Sequence, residues 1–138
     1  MKTIVITGCS TGFGRATALH LAGRGWRVVA TLRSEADRAN LVAEATANGS
    51  QEWLIPVLCD ITRPEHIEHL RGTVAEHTAT LDALLNNAGT SYAGPLEIIP
   101  LDDVRAQADL GEYATLAEAI ERRAKQSAAG GFPPELFA

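Results

Sequence analysis

Short strand-forming runs alternate with stretches of helical spacing along this chain up to residue 86, and that alternation narrows the available folds more than any other feature. Thr3-Ile4-Val5-Ile6 is a β-branched run ending at Thr7-Gly8, apolar enough to be buried on both faces of a sheet. A glycine-rich turn follows it. From Phe13, the residues Phe13, Ala16, Thr17, Leu19, His20 and Leu21 keep helical spacing until Gly23 and Gly25 stop the helix. Residues 26–32 form a second apolar run. Ser34 is placed to cap a second helix, with Asp37 three positions on and Leu41, Val42 and Ala45 on its inner face before Gly49. Residues 53–59 read as a third strand, and Pro56, which cannot donate to a ladder, puts that strand at a sheet edge. A third helix opens with the Thr62 hydroxyl as cap, Pro64 early and Glu65 in the first turn, and continues through Ile67, Leu70 and Val74. Residues 81–86 supply a fourth strand. Such alternation means βαβ units, hence an α/β protein with a mostly parallel sheet, right-handed crossovers and helices on both faces.

Beyond a loop over residues 87–100, helical spacing resumes near Leu101, passes Gly111 and runs through Leu116, Ala119 and Ile120 to about Lys125. Gly130-Gly131-Phe132-Pro133-Pro134 then reads as a loose tail, so the expected division is one domain over residues 1–127 and a tail over 128–138. A chain of 138 residues, 46% apolar and 21% charged, is the size and composition of one globular domain. Its formal charge of -5 draws it neither to nucleic acid nor to anionic lipid, so any anion site must be local. Too few apolar residues precede Gly8 for a signal-peptide core, and no run approaches a membrane span; the expected location is cytoplasmic. Cys9 and Cys59 are too few for a disulfide scaffold and match no zinc spacing, which makes them reduced thiols. Asn48-Gly49-Ser50 fits a glycosylation acceptor but reads as a helix-ending turn.

The chemistry lies in the first turn, Thr7-Gly8-Cys9-Ser10-Thr11-Gly12-Phe13-Gly14, a strand, three glycines and a helix. Glycines there let the backbone approach a pyrophosphate, while the helix N-terminus offers unpaired N–H groups and a partial positive charge. The spacing is G-x-x-x-G-x-G, unlike the commoner G-x-G-x-x-G fingerprint, and no Gly-Lys-Ser/Thr follows to make a Walker loop. With Cys59-Asp60-Ile61 after the third strand and Asn86-Asn87-Ala88-Gly89 after the fourth, the chain resembles the short-chain dehydrogenase/reductase family from Lys2 to about Asp109, including Gly94-Pro95-Leu96-Glu97. The resemblance implies a Rossmann-type parallel sheet of about four strands, in the order 3-2-1-4, truncated relative to the family fold and binding NAD or NADP. It also implies that Gly8, Ser10, Gly12, Phe13 and Gly14 border the pyrophosphate and adenosine ribose. Asp60 would accept from the adenine amino group with Ile61 beside the ring, and Asn87, Ala88 and Gly89 would line the cofactor and brace the central strands.

Charge selects between the two cofactors. A ribose 2′-hydroxyl is held by an acid just after the second strand, whereas a 2′-phosphate needs a cation there. Here Leu32 stands at the family's acidic position and Arg33 follows, which points to NADP. Arg15, on the first turn of the helix, reads as a surface residue. Cys9, near a helix N-terminus that lowers a thiol pKa, is the cysteine expected to be oxidation-sensitive. His66 and His69 lie i, i+3 on the third helix beside Glu65 and Glu68, a pattern better suited to a solvated face than to a metal site. His20 reads as packed or capping.

The Tyr-x-x-x-Lys pair by which the family transfers hydride has no counterpart here. Tyr92 is followed four positions on by Leu96 and Tyr113 by Ala117; Tyr113 and Lys125, on one helix, would stand roughly 18 Å apart. No catalytic residue is therefore assigned. Residues 109–116 read either as an altered start of the family's fourth helix or as the C-terminal tail of a longer relative joined after an internal deletion. The leading expectation is an NADP-binding half that is catalytically incomplete. A second reading is an active carbonyl or alcohol oxidoreductase in which Ser91, Tyr92 or a partner chain supplies the acid. A third is a non-catalytic module that pairs with a full-length relative. A fourth strand left at the edge suggests a homodimer or such a pairing.

Overall fold

β-Branched side chains crowd the strands, and small residues line the helix that crosses over them first. The computed structural model describes residues 1–89. They form β1 (Thr3–Ile6), α1 (Gly12–Ala22), β2 (Arg27–Leu32), α2 (Glu35–Ala47), a short 3-10 turn (Gln51–Trp53), β3 (Leu54–Leu58), α3 (Pro64–His77) and β4 (Ala83–Leu85). All strand pairs are parallel, as the βαβ reading requires, and the order is β3-β2-β1-β4, as the family resemblance implies. Val5 stands opposite Val29 and Leu84, and Pro56 opposite Ala30, on the strand that is outermost on its side.

Because successive strand residues point to opposite faces, a continuous apolar run builds two cores. Ile4, Ile6, Val28, Ala30 and Leu32 pack with Ala18, Ala22, Leu41 and Ala45 on one face, under α1 and α2. Val5, Val29 and Val57 pack with Ile67 and Leu70 of α3 on the other.

The periods hold better than the phases. On α1 the buried residues are Gly14, Ala18 and Ala22, at four-residue spacing, so the helix lies against the sheet on its smallest side chains. Phe13 is 88% exposed and His20 is exposed in the last turn, neither packed nor hydrogen-bonded as a cap. The Ser34 cap forms as its spacing predicts, accepting from Asp37 N at 3.1 Å. The expected Thr62 cap does not. Arg63 is the residue before α3, Pro64 occupies the first turn, and the Thr62 hydroxyl donates instead to Asp60 Oδ1 at 2.8 Å. Gly49, at φ +68°, ends α2 in the turn expected of it, with Ser50 N donating to Ala45 O at 2.8 Å. Trp26 precedes β2, Trp53 belongs to the 3-10 turn, and β4 is three residues long, each shorter than the apolar run around it. No helix of the described residues is long and apolar enough to cross a membrane. The helix expected from Leu101, the division at residue 127, and Ser91 and Tyr92 lie outside the described residues.

Candidate functional site

The carboxyl ends of all four strands meet at one edge of the sheet, where open α/β sheets take their ligands. The turn after β1 is held there from both sides. On the β2 side, Gly8 N donates to Thr31 Oγ1 at 3.2 Å and Cys9 N to Thr31 O at 2.8 Å. On the β4 side, Asn87 Nδ2 donates to Thr7 O and Gly8 O, each at 3.0 Å, while Asn87 N and Ala88 N both donate to Thr7 Oγ1 at 3.0 and 2.9 Å.

This closure explains two of the three glycines. A Cβ on Gly14 would lie 2.3 Å from Gly8 O and 2.4 Å from Asn87 Nδ2, and one on Gly8 would lie 2.7 Å from Ala88 Cα. No side chain fits at either place. Gly12 differs: its φ of +60° requires glycine, yet a Cβ there would meet nothing within 4 Å. The loop is tight against the sheet and open outward.

Helix α1 starts at this opening without a side-chain cap on Thr11 and without an acid in its first turn, whereas α2 has both the Ser34 cap and the acids Glu35 and Asp37. Unpaired N–H groups and an unopposed dipole suit an anion. Ser10 is half-buried beside them. Arg15 does not stand free as a surface residue. It is half-buried and pairs through Nε with Glu44 Oε2 of α2 at 3.0 Å, so its charge is already committed.

Arg33 is exposed one residue past β2, close enough to Asp60 to hold that carboxyl down electrostatically. The larger causes are the Thr62 N–H and hydroxyl, donating to Oδ1 at 3.0 and 2.8 Å; together they keep the Asp60 pKa below the usual carboxylate value and the group ionised at neutral pH. Ile61 is half-buried against the core under α3, and Gly89 is exposed. Arg33, Asp60, the glycine turn and Asn87 thus occupy the ends of four different strands on one edge.

The sequence model of the short chain dehydrogenase family matches residues 2–116. The chain belongs to that family. It is 35% identical over 121 residues to a short-chain dehydrogenase of Talaromyces islandicus, covering 86% of this chain and 40% of the relative. It is also 35% identical over 110 residues to the 3-oxoacyl-[acyl-carrier-protein] reductase of a Synechocystis strain, covering 79% and 44%. Among solved structures it superposes with TM-score 0.76 and 25% identity on an alcohol dehydrogenase from Thermococcus sibiricus complexed with 5-hydroxy-NADP, covering 91% of this chain and 54% of that one. A metagenomic short-chain oxidoreductase in complex with NADP matches with TM-score 0.74 and 28% identity, covering 88% and 56%. The chain spans about two fifths of the length of the two curated relatives.

Three residues that tie the edge together are not among those the family resemblance assigns to the cofactor. Thr7 and Thr31 look like ordinary strand formers, although a β-branched hydroxyl within one residue of a strand's carboxyl end is a usable signal. His66, expected on a solvated face, is half-buried and accepts Asp60 N–H at 3.0 Å through Nδ1.

Proposed function

We propose that this chain is the NADP(H)-binding part of a short-chain oxidoreductase. The observation that carries the reading is Arg33, an exposed guanidinium just past β2, where an acid would hold a ribose 2′-hydroxyl. The residues present fit the group: the uncapped start of α1, bounded by Gly8, Ser10, Gly12, Phe13 and Gly14, receives the pyrophosphate. Arg33 pairs with the 2′-phosphate as a planar fork. The ionised Asp60 accepts the adenine amino group, with Ile61 beside the ring, and Asn87, Ala88 and Gly89 line the path toward the nicotinamide. The NADP complexes of two solved relatives support the choice of cofactor. When bound, the nicotinamide supplies hydride exchange with a carbonyl or alcohol carbon. Neither tyrosine of these 138 residues has a lysine four positions on, so the isolated chain binds without measurable turnover.

Titrating NADPH and NADH into wild type and Arg33→Ala tests this. NADPH should bind more tightly to wild type. The variant should lose about tenfold to a hundredfold in NADPH affinity, the weight of a charge-assisted bond, with NADH unchanged. Equal affinities in wild type, or an unchanged variant, overturn the cofactor assignment. Consumption of NADPH with a carbonyl panel, abolished by Tyr92→Phe, overturns the absence of turnover.

A further inference from the structure

Asp60 is restrained on every side but one. Its carbonyl accepts from Arg63 N at 3.1 Å, and Oδ1 takes both donors of Thr62, while Oδ2 has no partner among the described residues. Its own N–H, just past the last β2–β3 rung at Cys59 N to Leu32 O, is received by His66 Nδ1 at 3.0 Å. A backbone N–H can only donate, so that nitrogen must carry a lone pair: the ring is neutral, with its proton on Nε2. His66 sits in the first turn of α3 and reaches back across the β3–α3 loop. The contact therefore joins the helix to the residue whose second carboxylate oxygen has no partner among the described residues.

We propose that His66 is a positioning residue of the adenine subsite: its neutral Nδ1 holds the Asp60 backbone so that the free carboxylate oxygen faces an adenine amino group. The inference rests on the reading of Asp60 given under Proposed function.

The probe is ADP-ribose, which carries adenine and pyrophosphate but no 2′-phosphate to titrate, set against its hypoxanthine analogue, whose 6-oxo group cannot donate to a carboxylate. Wild type should prefer ADP-ribose. His66→Leu and His66→Gln, which lack an acceptor at the Nδ1 position, should lose that preference by roughly twofold to tenfold, the range of one hydrogen bond. His66→Asn, whose Oδ1 sits where Nδ1 does, should keep it. Melting curves confirm that each variant is folded, and Gln replaces Leu if Leu is not. Retained preference in the folded Leu or Gln variant, or its loss in His66→Asn, overturns the role of His66. No preference in wild type, or one unchanged in Asp60→Ala, overturns the adenine reading itself.

Discussion

At Cys9, burial and the helix dipole act in opposite directions, and burial is the larger effect. The residue follows Gly8 in the glycine turn before α1, a place that lowers a thiol pKa when the sulfur faces the helix N–H groups. Here the sulfur faces inward, fully buried, and donates to Ile6 O at 3.3 Å. Desolvation pushes the thiol up to about 12, and Cys59 at the end of β3 is pushed up to about 11, first by burial and then by the Asp60 charge. The expectation of an oxidation-sensitive Cys9 is thus corrected. A thiol reagent at about pH 8 should leave both cysteines unmodified in the folded protein and titrate two thiols in denaturant. Rapid labelling of Cys9 in the native state is the contrary result.

Elements meet through strand ends, and Thr7 is where two of them are joined. Its hydroxyl oxygen receives both Asn87 N and Ala88 N, so the segment after β4 is anchored to β1 by one buried side chain. Thr7→Val keeps the shape but leaves two N–H groups without an acceptor, which should destabilise the fold by about 1–3 kcal/mol. The same change should weaken NADPH binding, because Asn87 also holds Gly8 O. Thr7→Ser should restore most of both. Urea midpoints and cofactor titrations measure the two effects separately; a valine variant as stable as wild type would show that the segment is anchored elsewhere.

For the whole molecule, the sheet's stability is unevenly placed. β1 and β2 each have a strand on both sides, whereas β4, with Leu85 36% exposed, pairs only with β1 among the described residues. Unpaired N–H and C=O groups along an apolar strand invite another chain, and a charge of -5 opposes association weakly at a Debye length of about 8 Å. We therefore expect self-association along β4, seen in sedimentation at tens of micromolar as a concentration-dependent dimer with β4 amides protected. A monodisperse monomer with β4 slowly exchanging would mean that the edge is covered within the chain.

Strand order followed from the family resemblance; parallel pairing, the edge place of β3 and the glycine turn before α1 were legible because each follows from local chemistry: period, β-branching, a proline without a donor, glycines before a helix. The Ser34 cap and the Gly49 turn belong to the same class, being settled within a few residues. What tertiary structure decided is which side of each element faces inward and which long-range partner each polar group finds. Helix α1 turned onto Gly14, Ala18 and Ala22 because the sheet and the β1 loop leave room only for small side chains there. Thr62 bonded Asp60 in place of capping α3, Arg15 paired with Glu44, and His66 reached the Asp60 N–H. Periodicity states that a face exists; only the packed neighbours, distant in sequence, select the face and supply the partners.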